Sequence, residues 1–421
     1  MTLAAIEFND QSLLIQSEDE ARHHEPGYAR LTDDGVVTGE AARAVAWREP
    51  QHMYNQFWCH LNLAPLANPH RHARHHGDMA FAQLRSLWQH TGSPDSLLLL
   101  TPGSFTHAQL SLLLGLVNAL PAATTAVVDS ALAACLDIEE DTLFVDLHMH
   151  EAVLTVCSIE GGTLRIVDQE VFPGAGVNQI YNSVARHISD HLIESYRFDP
   201  LHSSETEQTI YDQLPSWLTQ LCWEPDVSIK LESDKGELPC ILRKEAVEQL
   251  VGERLAGIRP FVAEWSGCQK ALSHQSAMLA GLMSEFADAR VTRRSASTRR
   301  ALANQAELTK PDGELRRIRE IEREGRQAGT AAVNGAPLAT HLMWGEQALP
   351  LDKPLSIRVT ENGPWMRNEL DKEAALTVVL RHRSLETLHG AADEALPSQC
   401  LPGESIVVGG HKLKLIRVQN V

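Results

Sequence analysis

No run in this 421-residue sequence approaches the roughly 18 consecutive apolar residues that a membrane-spanning helix needs. Residues 1–15 carry no basic stretch ahead of an apolar core and read as a strand pair, so no signal peptide is expected. Cysteine pairing motifs are missing as well. Cys59, Cys135, Cys157, Cys222, Cys240, Cys268 and Cys400 are odd in number, scattered, and form no CxxC. That argues against a zinc ribbon or a disulfide framework and favours a reducing, cytoplasmic setting. Positive charge is in deficit, with 37 Lys and Arg against 55 Asp and Glu and a formal net charge of −18. Such a surface repels nucleic acid and anionic membrane, so neither is expected as a partner.

One region opposes that trend. Between Arg290 and Arg326 lie Arg293, Arg294, Arg299, Arg300, Arg316, Arg317, Arg319 and Arg323, with Glu314, Glu320, Glu322 and Glu324 interleaved. It reads as a solvated helical linker laced with i,i+4 ion pairs, against the rival reading of a nucleic-acid patch.

What is present is ordinary globular composition, 43% hydrophobic and 22% charged, in a chain longer than one typical core. Apolar alternation around Asn9-Asp10 predicts a hairpin over residues 1–17. Ser96–Thr101 (SLLLLT) reads as a buried strand, followed by Pro102-Gly103 and a helix capped by Thr106. A second hairpin is expected over 142–156, extended by 163–171. After Pro173-Gly174-Ala175-Gly176, apolar residues at Ile180, Val184, Ile188, Leu192 and Ile193 mark one face of a helix. Residues 210–221, 243–263 and 279–286 read as helical, 227–231 and 237–242 as a strand pair. The histidine-rich stretch 70–76 reads as a loop. Past residue 335, short apolar runs between Gly, Pro and Asp predict a small all-β module.

A weak internal repeat organises these elements. Ile6-Glu7-Phe8-Asn9-Asp10-Gln11-Ser12-Leu13-Leu14-Ile15 aligns without gaps on Val145-Asp146-Leu147-His148-Met149-His150-Glu151-Ala152-Val153-Leu154. Each half opens with an apolar residue, an acid, an apolar residue, a turn and a strand. Several collinear segments then resemble the nucleotide-binding domain of DnaK-type heat-shock chaperones over about residues 3 to 290. They include Val37-Thr38-Gly39-Glu40-Ala41-Ala42, Leu98–Gln109, Val127–Ala134, Phe144–Val156, Gly174-Ala175-Gly176 and Pro239–Ala246. The resemblance implies an α/β fold: a duplicated, two-lobed actin/DnaK-like ATPase fold with a small C-terminal all-β module. The expected domains are 1–141 (lobe I), 142–294 (lobe II), 295–335 (charged linker) and 336–421 (β-rich module).

In that family two glycine-rich hairpin turns grip ATP phosphates through backbone N–H groups, an approach that a Cβ would block. Here the first turn is Glu7-Phe8-Asn9-Asp10-Gln11-Ser12, and Asp10 brings a carboxylate to the phosphate position. The second is Asp146-Leu147-His148-Met149-His150-Glu151, with three large side chains in place of glycines. The adenosine-side segment, Leu272–Leu282, lacks a glycine pair. Carried over residue by residue, the resemblance implies a degenerate nucleotide cleft at Glu7, Asn9, Asp10, Asp146, His148, Gly174 and Gly176. Glu7 and Asp146 keep acids where the family orients magnesium, which leaves weak ATP or ADP binding with Mg²⁺ as an alternative.

Rival readings use the same residues. Asp146, His148 and His150 spell D-x-H-x-H, similar to the first metal motif of PHP-type hydrolases. His70, His72, His75 and His76, or His187 and His191, offer other histidine clusters. At the C-terminus, Leu401–Gly410 and Lys412–Ile416 resemble the closing strands of forkhead-associated (FHA) domains. The expectation carried forward is a non-catalytic, DnaK-like scaffold with no catalytic residues. It would bind a protein partner through the inter-lobe cleft or the β module. The alternatives are a divergent ATPase and an actin-like filament former.

Overall fold

The turns that head the two repeats are hairpin tips in the computed structural model. It describes residues 2–19, 21–233, 236–309, 315, 317–323, 339–345, 347–360, 363–371, 373–381, 384–393, 396–397 and 400–418. The chain divides into two units, Met1–Glu324 and Gly325–Val421.

The first unit is mixed α/β and is built on two six-stranded sheets. Sheet I contains β1 (Leu3–Glu7), β2 (Leu13–Ser17), β3 (Arg22–Glu25), β4 (Ser96–Thr101) and β5 (Ala123–Asp129). Sheet II contains β6 (Thr142–Leu147), β7 (Glu151–Glu160), β8 (Thr163–Pro173), β9 (Gln269–Leu272) and β10 (Arg290–Val291). Two short late strands complete the edges: β11 (Arg317–Ile318) lies beside β5, and β12 (Glu320–Glu322) beside β8.

The five main strands of each sheet share one topology. In sheet I the order is β3-β2-β1-β4-β5; in sheet II it is β8-β7-β6-β9-β10. The first three strands of each set are antiparallel, and the other two run parallel to the leading strand. Register repeats too. Ile6 sits opposite Ile15, and Val145 opposite Leu154, so the ends of the aligned ten-residue segments are cross-strand partners in both copies.

Helices α1 (His76–His90) and α2 (His107–Asn118) cover one face of sheet I, meeting Leu97 and Leu99 through Leu84, Leu87, Leu113 and Val117. Leu98 and Leu100 point the other way, into a layer formed by α3 (Ser130–Ala134) and a late helix. That layer also takes Phe144, Cys157 and Leu164 from sheet II, so both sheets share it. Each fully buried leucine here contributes roughly 1.5–3 kcal/mol relative to exposure. Sheet II rests its far face on α4 (Val177–Tyr196), which buries Ile180, Val184, Ile188 and Leu192 as its spacing predicts. Thr106 caps α2 in a reciprocal box with Gln109.

Some expectations change. The charged stretch after residue 294 does not form a linker up to residue 323. It contains the late helix α5 (Ala296–Ala303), which buries Ala296, Ser297, Thr298 and Ala301, and then supplies β11 and β12. Its arginines are used internally: Arg300 donates to Ala134 O, and Arg323 to Leu136 O and Ile138 O. A planar guanidinium satisfies carbonyls at helix and strand ends, which composition alone cannot distinguish from solvation. Residues 324–335 lie outside the described residues. Residues 65–75 form a hairpin, not a loop, and the 243–263 stretch breaks into Lys244–Arg254 and Arg259–Glu264. Only Leu282–Glu285 of the 279–286 stretch is helical.

The second unit carries two four-stranded antiparallel sheets. One runs Gln347–Pro350, His341–Trp344, His411–Ile416, Ser405–Val408, and the other Gly363–Arg367, Leu355–Thr360, Leu376–Arg381, Ser384–Gly390. Leu342, Leu355, Ile357, Val378, Leu413 and Leu415 are among the residues of their shared core. Among the described residues, no helix is long and apolar enough to cross a membrane.

Candidate functional site

The two equivalent hairpin tips, β1–β2 and β6–β7, meet each other. The Asn9 amide donates to Asp146 Oδ1 at 3.1 Å and to Leu147 O at 3.0 Å. The backbone N–H of Met149 donates to Asp10 Oδ1 at 2.7 Å. His148 lies between two carboxylates, with Nδ1 3.6 Å from Asp10 and Nε2 3.4 Å from Asp146. Asn9, Asp10, Asp146 and His148 are all buried.

Burial alone would depress the His148 pKa, but the Asp10 and Asp146 carboxylates on either side outweigh it and push it well above 6.5. The two carboxylates therefore favour the protonated ring. Beneath it, Glu7 is raised to about 7, chiefly by desolvation and then by the Asp146 charge, with Ser297 and His148 pulling the other way.

The remaining predicted residues support these tips from behind. The Pro173–Gly176 loop passes so close that a Cβ on Gly176 would stand 2.4 Å from Glu151 N and from His150 C. Gly174 instead has open space around it and a φ of +79°. The N–H groups at the start of α4 are already engaged: Val177 donates to His148 O and Asn178 to Met149 O, each at 2.9 Å. On the other side, Leu147 N–H donates to Ser276 Oγ at 2.8 Å, within the segment read as the counterpart of the adenosine loop.

These groups do not fit a triphosphate. The donors that would cradle phosphate oxygens serve protein acceptors, and Asp10 adds negative charge at the same point. A concavity of about 510 Å³ lies elsewhere, lined by Arg165, Ile166, Val167, Arg317, Arg319 and Glu320.

The metal reading is rearranged. β6 ends at Leu147, so His148 and His150 belong to a turn, where strand alternation no longer places them on one face. His148 goes to the two aspartates, while His150 Nε2 bonds Asn55 O at 2.9 Å and its ring falls with Asp10 and Cys59. The 70–76 histidines disperse: His72 contacts Asp33 O, His75 caps α1, and His76 contacts His60 O. His187 and His191 stay exposed on α4.

Sequence reasoning missed two groups. Cys59, on the turn after Tyr54, carries no motif. Arg317 donates to the carbonyls of Thr101, Pro102 and Phe105 and pairs at 2.9 Å with Asp129, which is fully buried. The alternation Arg317-Ile318-Arg319 was the available signal for a strand there.

No protein-family model matches the chain, and no curated protein matches it significantly.

Proposed function

We propose that this chain is a non-catalytic relative of the actin/DnaK-like ATPases, a pseudo-ATPase that serves as an interaction scaffold. The duplicated strand order, with an antiparallel three-strand set and two parallel strands in each sheet, supports the two-lobed reading. So does the placement of α3 and α5 between the sheets. The observation that carries the loss of catalysis is the Asp10–Met149 hydrogen bond. An internal carboxylate takes the turn N–H that the family offers to phosphate, and the His148 imidazolium balances its charge in place of magnesium.

The partner surface falls to the second unit, read as an FHA-like sandwich. Trp365 is exposed there, with the Arg367 guanidinium 4.6 Å over its indole. An indole and a guanidinium side by side suit a protein partner.

Calorimetric titration and thermal unfolding with millimolar MgATP and MgADP test the reading. The expected result is no heat and no change in midpoint. A ligand at about 100 times its dissociation constant would add roughly 2.7 kcal/mol. A rise that EDTA cancels, with turnover lost in Asp146→Ala, would replace it with a divergent ATPase that keeps Glu7 and Asp146 as metal-orienting acids.

A further inference from the structure

We propose that Asp10, Cys59 and His150 form a binding site for a zinc-class divalent cation that staples the two hairpin tips to the turn carrying Cys59. The three side chains come from segments far apart in sequence, yet their donor atoms all lie within 4.8 Å of one another. A tetrahedral zinc with bonds of roughly 2.0–2.3 Å spaces its ligands roughly 3.3–3.8 Å apart. Closing the cluster therefore takes side-chain movements of about 1 Å and no change of fold.

The surroundings hold each donor near its place. Asp10 is anchored by Gly27 N–H donating to its backbone carbonyl at 2.7 Å, and one carboxylate oxygen takes Met149 N–H, leaving the other free to coordinate. The His150 ring is fixed by the Asn55 carbonyl, on the same turn that bears Cys59. Trp58, next to Cys59, packs on Phe8 with ring centroids 5.1 Å apart, tying that turn to β1.

Donor chemistry selects the ion. One thiolate, one imidazole and one carboxylate suit zinc or cobalt, whereas magnesium and calcium prefer oxygen alone. Two ligand anions would neutralise the dication in a partly buried site. On binding, the Cys59 S–H bond breaks, its proton leaves to solvent, and a sulfur–metal bond forms, with no change of oxidation state. Three protein ligands leave the fourth position to water. The site does not depend on whether the cleft once held nucleotide.

The test is titration of the metal-free full-length protein with Co²⁺, reading the near-ultraviolet thiolate-to-cobalt charge-transfer band. One equivalent should saturate the band, Zn²⁺ should displace it, and millimolar Mg²⁺ should leave it intact. Cys59→Ser should abolish it, and His150→Gln should weaken binding at least tenfold. Cys222→Ser, at another partly exposed cysteine, should leave it unchanged. Zn²⁺ should also raise the unfolding midpoint of the wild type but not of Cys59→Ser, whose metal-free midpoint should match the wild type. Absence of the band, its survival in Cys59→Ser, or a Zn²⁺ shift that persists in that variant would overturn the proposal.

Discussion

Asp10 and Met149 occupy equivalent positions in the two repeated hairpins, and a 2.7 Å hydrogen bond joins the carboxylate of one to the backbone N–H of the other. The duplication thus brings corresponding tips together, and divergence of their residues has turned the meeting point into a clasp. Asn9 reinforces it with two bonds to the opposite tip, and His148 supplies the balancing charge.

Removing the central cation should be costly. His148→Ala leaves Asp10 and Asp146 facing each other in a buried site, and breaking a buried ion pair costs about 3–5 kcal/mol. Asn9→Ala, which removes the two hydrogen bonds to the opposite tip and the one accepted from Gln11 N–H, should cost about 1–3 kcal/mol. Denaturant unfolding of both variants checks the ranking.

Glu7 gives the protein a pH signature. Its carboxyl is raised to about 7 in the fold, against 4.5 ordinarily, so between these values the folded state holds a proton that the unfolded state has lost. Stability therefore falls as pH rises through this window and levels off above it. His148 acts in the same direction, because its stabilisation is complete below 6.5 and is lost as pH rises through its elevated pKa. Glu7→Gln should raise the unfolding midpoint at pH 8, leave it nearly unchanged at pH 4, and flatten the profile between.

Gly174 and Gly176 should respond differently to alanine. A Cβ at Gly176 collides with backbone on the β6–β7 turn at 2.4 Å, which only a shift of the whole loop relieves. Gly176→Ala should cost about 3 kcal/mol, the upper end of what overpacking costs. Gly174→Ala meets open space and pays only for its positive φ, about 1–2 kcal/mol. Thermal unfolding of the pair separates packing from conformation.

Arg317→Ala should leave Asp129 buried without its cation and release the late strand from three carbonyls. The expected result is a loss of about 3–5 kcal/mol and new proteolytic cleavage near residues 315–323. Arg317→Lys should rescue only in part, because an ammonium lacks the planar fork.

The duplicated hairpins were legible because a period-2 pattern around a turn needs only local residues, and the two copies kept it. Thr106 and the α4 face were legible for the same reason. The clasp was only half legible. Asp10 and the three bulky residues at 148–150 marked turns unlike phosphate loops, but their direct bonding depends on how the two tips are brought together. Cys59 was invisible because its neighbours Asp10 and His150 are distant in sequence. The arginine-rich segment was misread because charge marks a surface only where no carbonyls wait to be capped.

The late strands β11 and β12 carry a consequence for how the molecule is made. They are separated by one residue, yet one completes sheet I and the other sheet II, pairing with strands synthesised about half the unit earlier. A nascent chain that has not yet released Arg317 carries two sheets with open edges and Asp129 without its arginine. Assembly of the first unit therefore finishes at its last few residues, and a ribosome stalled just short of them would hold an aggregation-prone intermediate.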